Sequence, residues 1–407
     1  MPDLPREFSR GMILLLAAAS ALGPVAMQII LPAIPIVRET FAVSTGTAQL
    51  TLSLSMFSIA IATLIYGPLS DRFGRRPVML AGISITVLGS ILCILANSIE
   101  WLIAARIVQA AGGAVGLVLA RAIVRDVYPA DQAAGIIATL VMVMVVMPML
   151  SPMVGGELLV RFDWHGGFYL VAAVSLVLLV AMYRHLPETL HTQTPFTGIG
   201  SMLMGFSTLL KSRVYSAYAF NVAFVSVVFF SFISAAPEIM VSVLGRPPNE
   251  YGYYFIMIPA AFMAGNYVTR WFGHSQGIHR MIGLGSKLSI LGIVVALSLQ
   301  LAGFHHPLAL FMPIAVTTFG NGITLPNAQA GAINEFPTMA GSASGLTGFL
   351  QMGLSAVAAQ LVALIFNGTV YPMLILMLVA ALISQGAFMS QGTTGRRRLR
   401  RSSRCDS

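Results

Sequence analysis

The densest group of chemistry-bearing residues in this chain is the run Gly67-Pro-Leu-Ser-Asp71-Arg72-Phe-Gly-Arg75-Arg76-Pro77. It sets one carboxylate among three guanidinium groups. Asp71 can accept from backbone N–H groups at a helix start. Arg72, Arg75 and Arg76 make a cationic loop that can hold carboxylates at neighbouring helix ends through charge-assisted hydrogen bonds. Gly67, four residues before Asp71, leaves room for a second helix to approach closely. Two further arginines, Arg106 and Arg121, stand inside long apolar runs. An ionisable group at membrane depth is costly and points to function by default. Arg106 falls about five residues into its run, roughly 7 Å deep at ~1.5 Å per residue. Its structural alternative is snorkelling or binding backbone carbonyls. Gln109 is either a hydrogen-bond partner or a substrate contact. Glu238, after Pro237, is an acid near a span end, where an apolar setting lets a carboxyl exchange protons near neutral pH. A solvated end at headgroup level is the competing reading. Pro148 and Pro152 lie four apart, on one helix face, followed by Gly155 and Gly156. That pattern suits a bent helix with a close-packing surface.

The elements that must carry these groups are hydrophobic helices. The chain of 407 residues is 57% hydrophobic and only 9% charged, where soluble domains average roughly 25% charged residues. Its mean hydropathy is +0.84. Lipid is the solvent that fits, and a spanning helix needs about 20 mostly apolar residues. Apolar runs broken by short polar stretches predict twelve spans: 11–34, 46–69, 77–96, 101–124, 132–158, 166–183, 214–244, 251–271, 281–301, 308–331, 340–366 and 370–390. The first run is too long for a signal-peptide core and lacks a small-x-small exit, so it reads as a span. The longest break marks a division into an N-terminal six-helix bundle (1–185), a linker (186–213), a C-terminal six-helix bundle (214–391) and a basic tail (392–407). The halves carry a faint repeat, since Gly265 to Arg270 closes the eighth span with the same glycine-to-arginine spacing as Gly67 to Arg72.

Charge orients the array. With a cytoplasmic N-terminus, eighteen lysines and arginines face the cytoplasm, and only Arg38, Arg161 and Arg246 face the other side. That imbalance predicts cytoplasmic termini. The arginine-rich tail then reads as an anchor beside anionic lipid rather than a nucleic-acid arm, despite the net charge of +9. Arg38, Glu39, Asp163 and His165 fall in loops of the opposite side and read as solvated. Trp101, Trp164, Trp271 and Tyr251/Tyr253/Tyr254 lie near span ends, as an aromatic belt would. Cys93 and Cys405 are too few for a disulfide framework. No HExxH, CxxC or carboxylate cluster appears, so no metal, no cofactor and no enzymatic activity are expected. A sensor or scaffold would need a soluble domain, and every loop is short.

The run 67–77, in the loop between the second and third spans, resembles the loop signature of the major facilitator superfamily. Further segments narrow the resemblance: Leu31-Pro32-Ala33-Ile34-Pro35, Arg106-Ile-Val-Gln109-Ala-Ala-Gly112-Gly113, Ala120-Arg121 to Arg125-Asp126, Leu186-Pro187-Glu188-Thr189-Leu190, Pro326-Asn327-Ala328, Ala340-Gly341 to Gly345, and Gly348 to Gly353. Together they resemble the bicyclomycin-resistance (Bcr/CflA) branch of the drug:proton antiporters over nearly the whole chain. The resemblance implies an all-α membrane protein with twelve transmembrane helices in two pseudo-symmetric six-helix bundles, the major facilitator fold. It also implies a monomer in a bacterial inner membrane that exports small amphipathic compounds against proton entry.

The same resemblance assigns roles. Asp71 is expected at the start of helix eleven, near Ala340-Gly341, and an arginine of the loop is expected on Asp126, latching the outward-facing state. Pro148, Pro152, Gly155 and Gly156 match part of an antiporter motif of helix five, with Met147 and Ser151 standing where that motif has glycines. Arg106 is tied to proton coupling beside an acid. Where the branch has an aspartate in helix one, this chain has Gln28, which cannot carry a proton at any useful pH. Glu238, in the counterpart helix of the second half, is the substitute acid. Helices one, four, seven and ten line the path in this superfamily, which nominates Gln28, Arg106, Gln109, Asn221 and Glu238. Export without proton coupling, or of an organic anion drawn to Arg106 and Arg121, is the alternative.

Overall fold

Helix follows helix along the computed structural model, which describes residues 8–190, 198–336 and 339–405. No strand occurs among the described residues. The first half comprises α1 (Arg10–Gln28), α2 (Ile34–Thr40), α3 (Thr45–Phe73), α4 (Arg75–Ile94), α5 (Ile99–Gly113), α6 (Val115–Val127), α7 (Ala130–Phe162) and α8 (Gly166–His185). Then come α9 (Gly198–Lys211), α10 (Arg213–Glu238), α11 (Glu250–Phe255), α12 (Met257–Gln276), α13 (Ile278–Leu301), α14 (Pro307–Glu335), α15 (Ala340–Leu364) and α16 (Tyr371–Cys405).

Ten stretches among the described residues are long and apolar enough to cross a membrane. One of them, Gly135–His185, holds two spans, α7 and α8, divided at Asp163, whose φ is 56°. The remaining expected span is α12, diluted by Asn266, Thr269 and Arg270. Twelve spans result. Prolines explain the interruption of the first. Pro32 and Pro35 cannot donate to a helical ladder, and α1 gives way to a 3₁₀ turn at Leu31–Ala33 before α2 resumes. Within the expected linker, Gly198–Lys211 is helical, and Leu209 of this helix is buried against Tyr215, Ala343 and Leu346. Residues 191–197 of the linker lie outside the described residues.

The chain divides into two compact units. The first is Met1–Phe196 with Ser234–Ile256 and Ala359–Gly368; the second is Thr197–Ile233 with Met257–Ala358 and Thr369–Ser407. Ends of the seventh, eighth and eleventh spans thus pack within the first unit.

Lipid offers helices no hydrophobic reason to associate, so close backbone approach at small residues must hold them. In the first unit a Cβ on Gly23 would stand 2.7 Å from the Gly113 carbonyl oxygen. In the second, a Cβ on Gly265 would meet the Phe319 carbonyl oxygen at 2.2 Å. Gly67, which occupies the repeat position matching Gly265, has open space instead. Among the described residues no backbone lies over this face of α3, and the close approach expected of Gly67 is not made there. Trp164 also departs from the belt reading. It is buried with Cys93, Ile99, Leu102 and Phe168, whereas Trp101 and Trp271 are exposed.

Candidate functional site

Three clusters of polar groups are built into the first unit. The first lies where α3 turns into α4. Gly74 makes the turn at φ 99°, a conformation that costs glycine little, and it brings Arg75 to the first position of α4. Arg75 Nη1 donates to Asp71 Oδ1 at 2.5 Å and to Ser70 Oγ at 2.6 Å, and Nε donates to Asp126 Oδ2 at 2.8 Å. The planar five-donor fork of arginine is what allows one side chain to join three acceptors. Asp126 also accepts from Thr189 Oγ1 at 3.3 Å. The structure therefore brings together Asp71, Arg75 and Asp126. Arg76 donates to the Tyr183 carbonyl at 2.9 Å and lies over the Tyr183 ring. Arg72 is exposed over Phe73.

A second acid serves the same corner: Glu188 sits at the start of α4. Its carboxylate accepts from the backbone N–H groups of Arg75 at 2.9 Å and Arg76 at 3.2 Å, and from those of Thr189 and Leu190 at 3.0 Å. The first N–H groups of a helix lack intrahelical partners and carry partial positive charge. Gly74, as the residue before α4, has no side chain to offer, so an acid from elsewhere fills the place. Sequence reasoning placed Glu188 in the segment that opens the linker and gave it no role of its own. The available signal was an acid just past the last span of the first half, on the same side as a loop of arginines. Gly341, nominated near the partner of Asp71, has open space where a Cβ would stand.

The second cluster surrounds Arg106, which is 1% exposed. Its Nη1 donates to Gln109 Oε1 at 2.6 Å and to the Ala26 carbonyl at 3.0 Å; Nε reaches the Thr51 carbonyl at 3.4 Å. Its guanidinium lies 5.8 Å from the centre of the Phe168 ring. Ala26 is in the last turn of α1, where carbonyls are left without partners and the helix dipole is negative. The interruption of helix one thus presents a negative pole to a buried cation. Nη2 has no hydrogen-bond partner among the described residues. Gln109 is fully buried and passes the network to Ser90 Oγ at 2.8 Å. Arg106 and Gln109 are therefore enclosed within the first unit, held by carbonyls and each other. Gln28 is half-buried, and its Oε1 has no hydrogen-bond partner among the described residues. Arg121 is half-buried, with Nη2 3.6 Å from Met144 Sδ.

The third cluster lies at the opposite end of the helices. Glu238, at the end of α10, is 4% exposed, and its Oε1 accepts from Arg38 Nη1 and from Ser242 Oγ, each at 2.5 Å. Two expectations are corrected here. Arg38 is no solvated loop residue, and Glu238 is no lone carboxyl in an apolar setting; each is the other's counter-ion. Gly155 and Gly156 stand beside this joint. A Cβ on Gly155 would come 2.1 Å from the Ile29 carbonyl oxygen, and one on Gly156 would come 3.0 Å from Asn249 Cα. Tyr253 OH donates to Glu157 Oε1 at 2.5 Å. Pro148 and Pro152 are both accommodated inside α7 without ending it.

Asn221 belongs to the second unit. It is fully buried, and Nδ2 donates to the Ser384 carbonyl at 3.0 Å and Oγ at 2.9 Å. Asn221 thereby ties α10 to α16. Among the described residues no group of histidine, cysteine and carboxylate side chains could hold a metal ion.

A family model described as Major Facilitator Superfamily matches residues 16–359. The chain belongs to the major facilitator superfamily. It falls with the Bcr/CflA branch of that superfamily and is a multi-pass membrane transporter, not an enzyme. Relatives include an uncharacterized MFS-type transporter, YdgK, of Bacillus subtilis, 31% identical and covering 92% of this chain and 93% of the relative. A bicyclomycin resistance protein homolog of Haemophilus influenzae is 28% identical, covering 92% and 94%. Multidrug resistance protein D of Escherichia coli is 30% identical, covering 89% and 91%. Among solved structures, a bacterial homolog of the human lysosomal transporter Spinster, inward-facing and unoccupied, aligns with a TM-score of 0.74 at 15% identity, covering 94% of this chain and 97% of that one. A POT family transporter in complex with a thioalcohol-conjugated peptide aligns at 0.75 and 14% identity, covering 95% and 96%. At these identities the solved structures speak for the fold of two six-helix bundles.

Proposed function

We propose that this major facilitator exports small amphipathic drugs or toxic metabolites across a bacterial inner membrane, by alternating access driven by proton entry. The observation that carries the reading is the near full-length similarity to proteins named for bicyclomycin and multidrug resistance. The charge asymmetry supports a cytoplasmic Arg75 cluster and cytoplasmic termini, with the Arg38–Glu238 end outside. Residues 1–185 and 214–391 act as the two bundles of a monomer that moves its gates in turn. The Asp71–Arg75–Asp126 cluster, capped by Glu188, is the rigid cytoplasmic corner on which the inner gate turns. Glu238 is the acid through which the proton acts, since protonation removes the charge that holds Arg38. Gln28, with its free acceptor, is the path residue of helix one. A susceptibility panel in a host lacking its own pumps identifies the cargo, and loss of every resistance phenotype on such a panel would sink drug export.

A second reading has an observation of its own. Among the described residues Arg106 is held by carbonyls and Gln109, with no carboxylate, and Gln28 stands where the branch has an aspartate. A transporter so built moves its cargo without proton coupling, or carries an organic anion. Substrate-induced proton movement in vesicles separates the two readings, and loss of that signal in Glu238→Gln assigns the proton site.

A further inference from the structure

We infer that the exposed side of α8 is a binding site for one anionic phospholipid: an acyl chain lies in a groove along the helix, and Arg184 and His185 hold the phosphate. The inference rests on membrane residence alone and does not depend on what is exported. α8 buries Phe168, Val171, Ser175, Leu178 and Met182, spaced by three and four and so on one face. The opposite side stays open, with Val177 69% exposed. It carries a groove of about 430 Å³ lined by Leu176, Val177, Val180, Ala181, Arg184 and His185. The groove is apolar along most of its length and basic at one end. From Leu176 to His185 it runs roughly 14 Å, at ~1.5 Å per residue. That is about one leaflet of a hydrocarbon core ~30 Å thick, so a single lipid spans it from chain to headgroup.

The basic end lacks a protein counter-ion. Among the described residues Arg184 forms no ion pair, whereas Arg75 is neutralised by Asp71 and Asp126. Glu188, the acid that follows in the chain, is occupied by the backbone N–H groups of α4. Arg76 brings another cation to the same turn, over the Tyr183 ring. The last carbonyls of a helix form a negative pole that repels a phosphate. Here two of them are covered: the Leu186 N–H takes the Met182 carbonyl and Arg76 takes the Tyr183 carbonyl, each at 2.9 Å. The guanidinium fork of Arg184 suits a phosphate, on which it makes two parallel charge-assisted bonds, and His185 adds a ring N–H. Basic side chains beside an apolar cleft at a membrane surface attract anionic headgroups. A zwitterionic lipid offers the same phosphate together with an ammonium group, which Arg184 and Arg76 repel. A soluble phosphate has no chain to fill the groove.

The test needs no transport substrate. The full-length protein is stripped of lipid in detergent and titrated with phosphatidylglycerol, or with phosphatidylethanolamine of the same chains, and bound lipid is counted by native mass spectrometry. Wild type retains one phosphatidylglycerol at a several-fold lower concentration than phosphatidylethanolamine. Arg184→Gln weakens phosphatidylglycerol retention about fivefold, the effect of one basic residue at an anionic surface, and His185→Gln adds to the loss. Ala181→Trp fills the groove and weakens both lipids without touching the charge. Lys287→Gln, which removes an exposed cation of α13, leaves retention unchanged. Wild type with no preference for phosphatidylglycerol overturns the site. So does a double variant of Arg184→Gln and His185→Gln that retains the lipid as wild type does, an Ala181→Trp variant without effect, or an equal loss in Lys287→Gln. Inorganic phosphate that raises the melting midpoint as far as phosphatidylglycerol does would assign these cations to a soluble anion and overturn the lipid site as well. A negative drug panel leaves lipid retention untouched, so failure of the export reading and failure of this site are distinguishable.

Discussion

Glu188 caps the helix that Arg75 begins: its carboxylate takes the backbone N–H of Arg75 at 2.9 Å, across 113 residues of sequence. The opening of the linker is thereby fastened to the signature loop, and the side chain of Arg75 is aimed back at Asp71 and Asp126. Glu188→Ala removes a helix cap, which costs about 1 kcal/mol or somewhat more, and loosens Thr189 from Asp126. A lower melting midpoint in a thermal scan of detergent-purified protein is expected, with Glu188→Gln retaining part of the loss. An unchanged midpoint for Glu188→Ala would remove the capping role.

Arg75 joins three acceptors with two of its nitrogens. Arg75→Ala leaves Asp126, which is 21% exposed, without its cation, at a cost of about 3 kcal/mol. Arg75→Lys keeps a charge but not the fork, so it recovers less than half of that stability. Chemical denaturation of the three proteins in parallel checks the order; a lysine variant as stable as wild type would contradict it.

Glycine positions separate sharply. Gly155→Ala and Gly265→Ala push a methyl group into a backbone carbonyl, and overpacking of this kind costs about 1–3 kcal/mol. Gly67→Ala and Gly341→Ala meet open space and should fold with wild-type yield. Size-exclusion profiles of the four variants make the comparison. Equal damage at Gly67 and Gly155 would mean that the packing described for α3 is not the one that governs folding.

Much of this architecture was legible in advance, and what was not has a common physical reason. Twelve apolar runs suffice to place the spans, because lipid demands about 20 apolar residues in each. Arg106 was legible as a cation at membrane depth, with snorkelling or backbone carbonyls as its structural alternative. Which carbonyls serve it was not, because those of Ala26 and Thr51 carry no residue signature. Arg38 looked solvated because it follows a span, while its partner Glu238 lies 200 residues away. The role of Glu188 stayed hidden for the same reason. Helix α9 was hidden by its glycines and short length, which weaken a helical pattern. Gly67 was misjudged because a glycine in a motif reports permission for contact, whether or not a neighbour takes it up.

Asn221 was placed on the path by position and is spent on Ser384. Asn221→Ala forfeits two hydrogen bonds to α16, each worth about 1 kcal/mol net. Asn221→Ala should therefore lower stability without altering which compounds are exported. A shifted substrate profile at unchanged stability would return Asn221 to the path.

The account turns on whether cargo and protons move against each other. In everted membrane vesicles carrying an imposed proton gradient, adding an exported compound should collapse part of that gradient with the wild-type protein and not with Glu238→Gln. A wild-type protein that confers resistance yet gives no proton signal with any exported compound would contradict proton-driven export.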